Sequence, residues 1–288
     1  MHDLNADLHC HSTASDGTLA PEALVARAVA NGVDLWALTD HDDLSGIAAA
    51  RAAARSAGLP FVAGVEISVS FAHETVHIVG LGIDEHDAGL RDGLAYTRSG
   101  RERRARTMAE GLAQVGIRDA YEGALRYVGN PELISRTHFA RYLVEAGVCG
   151  SMHEVFSRYL VDGKPGYVPM QWARLADALR WIHSAGGVAV IAHPGRYKFT
   201  PTEEMALFEE FKQLGGEAVE VITGSHTSAD FAKYADWALR LGLMASRGSD
   251  FHSPDESLCD LGQWGRLPAL PEQLTPVWSR LMVQASHV

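Results

Sequence analysis

Seven short apolar runs are spaced along the chain: Leu4 to His9, Leu35 to Asp40, Phe61 to Glu66, Val76 to Ile83, Val188 to His193, Ala218 to Thr223 and Met244 to Asp250. Most are continuous in Val, Ile, Leu and Ala instead of alternating with polar residues, which is the pattern of parallel strands covered on both faces. Between several of them lie helical periods closed by glycine. "PEALVARAVANG" has Pro21 near its start and Gly32 after its end, and "GIAAARAAARSAG" and "ADALRWIHSAGG" repeat that grammar. Strand, helix and glycine turn in succession predict an α/β fold.

The alternation stops between Ile83 and Val188. "SGRERRARTMAEGLAQVG", "ISRTHFARYLVEAGV" and "SMHEVFSRYLV" read as helices, and "DGKPGYVP" marks the exit. This stretch is too long for an ordinary crossover. The spacing therefore predicts a barrel built from residues 1–96 and 169–288, with a mainly helical subdomain, 97–168, inserted into it.

Composition narrows the class. With 47% hydrophobic and 21% charged residues, the chain has the balance of a globular protein. No apolar run is long enough to span a membrane, and "MHDLNADLHCH" lacks the basic start and apolar stretch of a signal peptide, so a cytoplasmic location is expected. Cys10, Cys149 and Cys259 are too few and too scattered for a disulfide framework or a zinc knuckle. The net charge of −11 argues against a surface that coats duplex DNA. The insertion departs from that balance, with eleven Arg and Lys against eight Asp and Glu.

The candidate chemistry collects where the runs end. His9 and His11 close the first run, and alternation puts them on one face with Cys10 turned toward the packing side. Asp40 and His41 close the second, Glu66 the third, His193 the fifth, and Asp250 and His252 the seventh. Parallel strands bring such ends to one rim, where barrel active sites are assembled, and clustered imidazoles and carboxylates there suit a divalent metal. His77 lies near the start of its run instead, and periodicity leaves it between a half-exposed strand histidine and a ligand. Asp16, in "ASDGTL", reads equally as half of an Asp-Gly turn. Asp40 could orient a ligand imidazole, take part in proton transfer, or cap the next helix.

"DLHCHSTASDG", "ALTDHDD", "GVEIS", "VIAHPG" and "SDFH", in this order, resemble the motifs of the polymerase and histidinol phosphatase (PHP) superfamily. The resemblance implies a distorted (β/α)7 barrel and a phosphoesterase with up to three divalent ions. It implies that His9, His11, Glu66 and Asp250 hold one ion, that Glu66 bridges to a second held by His77 and His193, and that Asp16, His41 and His252 hold a third. Asp16 stands where some relatives have histidine. Manganese is the expected metal, with iron and zinc also compatible. The implied nucleophile is a hydroxide bridging the first two ions, with Asp40 and His252 as candidate catalytic groups.

The insertion offers the candidate substrate contacts. Arg101, Arg103, Arg104 and Arg106 lie in "RSGRERRAR", where helical spacing puts Arg103 and Arg106 on one face and turns Arg104 elsewhere. Ser135, Arg136 and His138 lie in "ISRTHFAR", and Lys164 in the exit. Arg196, after "AHPG", and His226, after the sixth run, are expected at the rim. Arginine forks suit a second phosphate. The insertion resembles the branch of the superfamily that converts nucleoside 3′,5′-bisphosphates to 5′-monophosphates and trims short RNA from the 5′ end. The expected partner is therefore a nucleotide or an RNA 5′ end. The alternatives are a histidinol-phosphate phosphatase, a polymerase-associated module, and a non-catalytic metal-binding module. His73, His86, His153, His183 and His287 fall outside the motifs, and Trp36, Trp172, Trp181 and Trp237 read as core.

Overall fold

A computed structural model of the chain describes residues 4–263, 265 and 267–285; His287 lies outside them. Seven strands form one sheet in chain order: β1 (Ala6–Asp7), β2 (Leu35–Leu38), β3 (Phe61–Phe71), β4 (Glu74–Leu81), β5 (Val188–Ile191), β6 (Ala218–Thr223) and β7 (Met244–Gly248). The sheet curls until its ends meet. Leu8 N donates to Arg247 O, Asp250 N to His9 O and His11 N to Phe251 O, and Cys10 pairs with Phe251. The expected first strand is thus shorter in its own ladder, and its last residues join β7 instead.

The expectation of parallel strands needs one correction. β1–β2–β3 and β5–β6–β7 are parallel, but β4 runs antiparallel to both of its neighbours. Only Ala72 and His73 separate β3 from β4, and a connection that short can only reverse the chain. Reversal puts the beginning of β4 at the rim where its neighbours end. His77 lies opposite Ser68, two residues beyond Glu66.

Helices α1 (Pro21–Ala30) and α2 (Ile47–Ala57) follow β1 and β2. Pro21 opens α1 and Gly58, in the left-handed region, ends α2. After β4 come α3 (Ala88–Arg98), α4 (Arg101–Gln114), α5 (Ala120–Leu125), α6 (Arg136–Glu145) and α7 (Met152–Val155). The barrel then resumes with α8 (Leu175–Ser184), α9 (Pro201–Gln213) and α10 (Ser228–Leu241), and α11 (Trp278–Ala285) follows β7. A large apolar cluster fills the barrel and the space beneath its helices, and takes in Leu90 and Leu94 of α3. A second cluster, from Ala105 to Leu160, includes Met108, Leu112, Phe139 and Leu143. Among the described residues no helix is long and apolar enough to cross a membrane.

Candidate metal centre

At the rim, His9 Nε2, His11 Nε2, Glu66 Oε2 and Asp250 Oδ1 converge. His9 and His11 lie 3.2 Å apart, Glu66 is 3.3 and 3.2 Å from them, and Asp250 is 3.5 and 3.3 Å from them. A tetrahedron of donors about 2.1 Å from a central ion has edges of about 3.4 Å, so the two imidazole nitrogens stand at coordination-shell spacing from each other and from each of the two carboxylate oxygens. The other Glu66 oxygen, Oε1, lies 2.9 Å from His77 Nδ1 and 3.0 Å from His193 Nε2, which are 3.4 Å from each other. Asp16 Oδ1 is 3.3 Å from His252 Nε2 and 3.8 Å from His41 Nε2, while His41 Nδ1 is 2.9 Å from Glu66 Oε2. The nine residues singled out from the sequence thus stand together, with Glu66, fully buried, at their centre.

The reversed strand explains His77, which pairing places beside β3 at the same rim as the forward-running strand ends. Local backbone is shaped to the same end. His193 and Asp250 have φ of 27° and 55°, a region that non-glycine residues enter only when their surroundings compel it. Each is held there, His193 N by Glu220 Oε2 and Asp250 N by His9 O. Gly248 lets the backbone pass His9: a Cβ at this position would lie 2.4 Å from that of His9.

The electrostatics ask for positive charge. Against the effect of burial, His77, His41 and His9 hold the Glu66 carboxyl well below its usual range, and Asp16 and Asp250 are held down by neighbouring histidines in the same way. Burial opposes charge on His41, yet Glu66 and Asp16 push its pKa up to about 9. His77, where burial dominates, falls to about 4. His11 Nδ1, Asp16 Oδ1, Glu66 Oε2 and His193 Nδ1 are buried without a hydrogen-bond partner. Ionised acids and orphaned donor atoms are what divalent ions require, and an ion would take the place of the proton that the carboxylates hold on His41.

Glu220, which the sequence reading passed over, braces this set. Its Oε1 is 2.7 Å from His9 Nδ1, and its Oε2 accepts from His193 N at 2.6 Å. A lone carboxylate inside "AVEVIT" was the available signal, because a buried acid needs a partner.

Two expected roles change, and His252 keeps its expected place. Asp40 accepts from Ser12 N and Ser15 Oγ on one oxygen and from Ser12 Oγ on the other, at 2.6–2.7 Å, so it fastens the loop that carries Asp16. It caps no helix, since Gly46 stands at the N-cap of α2 and no side chain caps it. His226 does not open onto the rim: it is buried, its Nε2 accepts from Gly195 N and its Nδ1 lies 3.1 Å from Val221 O. His252 directs Nδ1 at Asp250 O, 2.9 Å away, leaving Nε2 for the site.

The arginines also rearrange. Arg106 pairs with Glu102 on the outside of α4, and Arg103 is exposed in a 430 Å³ cleft beside Tyr96 and Met170. It is Arg101 and Arg104, three residues apart, that turn inward, 4.6 and 5.7 Å from the ring of Trp172. Arg104 Nε donates to Val168 O, and burial together with Arg136 and Arg101 lowers its pKa to about 9. Arg136 is lowered by burial as well, and Arg196, half-exposed, donates to Asp250 Oδ2 at 2.7 Å. His138 caps α6, its Nδ1 accepting from Ser135 N, and burial drives its pKa down to about 4. Lys164 is exposed in the turn after Val161. Cys10 lies in the core against Trp36, as alternation predicts; Trp172 is buried, and Trp181 and Trp237 pack half-buried against the barrel core.

Comparison with known proteins places this geometry in context. A model of the PHP domain matches residues 7–227. The chain belongs to the PHP domain family. It is 50% identical over 277 residues to a 3′,5′-nucleoside bisphosphate phosphatase of Chromobacterium violaceum, covering 96% of each chain. It is 40% identical over 274 residues to a 5′-3′ exoribonuclease of Haemophilus influenzae, covering 95% of this chain and 98% of that one. Among solved structures, a candidate metal-dependent phosphoesterase of Bifidobacterium adolescentis superposes with a TM-score of 0.81 at 27% identity, covering 98% of this chain and 96% of that one. As a PHP domain, this one gathers its donor residues at one rim of a seven-stranded barrel: Glu66 and His77 lie within β3 and the reversed β4, because β3 runs on to Phe71 instead of closing at Glu66, and the others lie beyond strand ends.

Proposed function

We propose that this chain is a metal-dependent phosphatase that removes the 3′-phosphate of nucleoside 3′,5′-bisphosphates and leaves 5′-monophosphates. The observation that carries the reading is a pair of inward-turned arginines, Arg104 and Arg136, with no carboxylate at ion-pair distance among the described residues, in the segment docked on the donor cluster. Both are half-buried; partly desolvated cations without an acid partner are unfavourable, and a phosphate on the substrate would neutralise them. In this reading Ser135 and His138, on the first turn of α6 with Arg136, and Arg103, Lys164 and Arg196 are the further substrate contacts. The two relatives support it from either side, one named for bisphosphates and one for an exoribonuclease. One phosphate anchored and the next cleaved describes both substrates, so short RNA with a free 5′ end is a second substrate of the same site. Such substrates put the reaction in the cytoplasm.

His9, His11, Glu66 and Asp250 would hold one ion, Glu66, His77 and His193 a second, and Asp16, His41 and His252 a third. Manganese suits this set of imidazoles and carboxylates, as do iron and zinc. Bound ions would supply an acidified water as nucleophile and neutralise charge on the phosphoryl group. The chain's own part is positional. Glu220 and Asp250 O fix the ring orientations of His9 and His252, Asp40 holds the loop of Asp16, and Arg104 and Arg136 set the distance from the anchored phosphate to the cluster. The domain division at 97 and 168 makes the insertion the substrate reader and the barrel the reaction centre.

The test is manganese-dependent phosphate release from adenosine 3′,5′-bisphosphate beside 3′-AMP, 5′-AMP and histidinol phosphate. The bisphosphate should be preferred, and Arg136→Ala should raise its KM by about tenfold to a hundredfold, as expected for a charge-assisted contact, with less effect on 3′-AMP. Preference for histidinol phosphate would refute the assignment.

A further inference from the structure

We infer that Arg101 is a positioning residue that ties the insertion's anion site to the donor cluster through Asp42. The inference rests on the reading above, in which the insertion anchors a second phosphate. Asp42 is buried at the rim with φ of 50°, immediately after His41. Its N–H donates to Glu66 O at 2.9 Å, and its carboxylate accepts from Ser68 N and Ser68 Oγ at 2.8 and 2.9 Å. Asp42 therefore fixes the backbone on both sides of the chemistry, at His41 and at the central Glu66.

The third donor to that carboxylate is Arg101 Nη2, from the first turn of α4, and Arg98 Nη1 at the end of α3 donates to Asp42 O at 2.6 Å. Arg101 is 5% exposed and its guanidinium lies over Trp172, the ring it shares with Arg104 one turn later. A movement of α4 that closes Arg104 on a phosphate must carry Arg101 with it. Arg101 Nε is buried and has no hydrogen-bond partner, so the same guanidinium that grips Asp42 keeps one donor for an anion on its other side. A buried pair of this kind adds little net stability over an apolar pair. Its effect is on registry: with the second phosphate bound, Arg101 and Asp42 hold His41 and Glu66 in the arrangement that turns over.

The experiment compares kcat for adenosine 3′,5′-bisphosphate with kcat for 3′-AMP in wild type, Arg101→Met, Asp42→Asn, the double variant and Arg101→Lys. Loss of the link should lower the ratio of the two kcat values by about tenfold in each of the first two variants, the size of an ordinary coupling between sites. The double variant should fall no further than either single one, because the two residues act as one connection. Lys, which keeps the charge but not the fork, should give an intermediate ratio, and it carries the comparison if Arg101→Met does not fold. Affinity for 5′-AMP, measured calorimetrically with and without manganese, should show linkage in wild type that is lost in the variants. Equal losses on both substrates, or an unchanged ratio with linkage intact, would overturn the inference while leaving the proposed activity standing. A wild-type enzyme with no preference for the bisphosphate would instead overturn the activity itself.

Discussion

Glu220 stands outside the nine converging donors, yet both of its oxygens are committed to them. The contact at His9 Nδ1 leaves His9 Nε2 as the ring nitrogen facing the site, and the contact with His193 N holds a backbone that would otherwise leave its left-handed conformation. Partners of this kind set the tautomer and aim of a ligand histidine, and their loss costs about tenfold to a hundredfold in metal affinity. Glu220→Gln should therefore weaken manganese binding by a factor in that range, measured by titration calorimetry, while the thermal unfolding of the metal-free protein stays cooperative. Unchanged manganese affinity would mean that Glu220 only fills space beneath the rim.

The elements show why some of this was legible beforehand and some was not. Continuous apolar runs located all seven strands, and proline and glycine located the start of α1 and the end of α2, because both are local consequences of backbone geometry. The direction of β4 is not local: it depends on the two-residue turn at Ala72 and His73, and it alone turns His77 from an odd strand histidine into a neighbour of Glu66. Similarly, helical spacing grouped Arg103 with Arg106, but Arg103 lines the same cleft as Arg104 while Arg106 pairs with Glu102, and which face of α4 looks inward is decided by Trp172 and Val168, about seventy residues on. The seating of the insertion depends on α6 too. Arg141, 7% exposed, makes a two-pronged contact with Glu256 at 2.8 and 2.9 Å, just beyond His252, while Gly129 lets its loop press against Thr13. Arg141→Met should cost about 1–3 kcal/mol, below the full price of a broken buried pair because Glu256 is partly exposed, and should raise hydrogen exchange in α6 and in the 250–257 loop together. Exchange rising in α6 alone would show that the contact does not hold the two together.

At the scale of the whole molecule, the donor cluster and the two apolar clusters make separate contributions to stability. The barrel core contains Leu8, Trp36, Val65, Ile78, Ile191, Phe208 and Trp278, all essentially without solvent contact, so the fold does not need an ion to exist. The centre above it is different: three carboxylates held ionised in a buried site are balanced in the metal-free molecule by imidazoles that carry protons. Ions that bind the folded chain and not the unfolded one stabilise it in proportion to the logarithm of their concentration over the dissociation constant, about 2.7 kcal/mol at a hundredfold excess for each site. Chelation should therefore lower the midpoint of thermal unfolding by several degrees, at about 2–4 °C per kcal/mol for a chain near this size, while the far-ultraviolet circular dichroism at 20 °C is unchanged. Because Arg101, Arg98 and Arg141 connect the insertion to the rim, tryptophan fluorescence and helical signal should shift together as one transition. A chelated protein that melts at the same temperature would mean that the converging donors bind no ion, and a helical signal that melts ahead of fluorescence would mean that the insertion's cluster is held independently of the barrel.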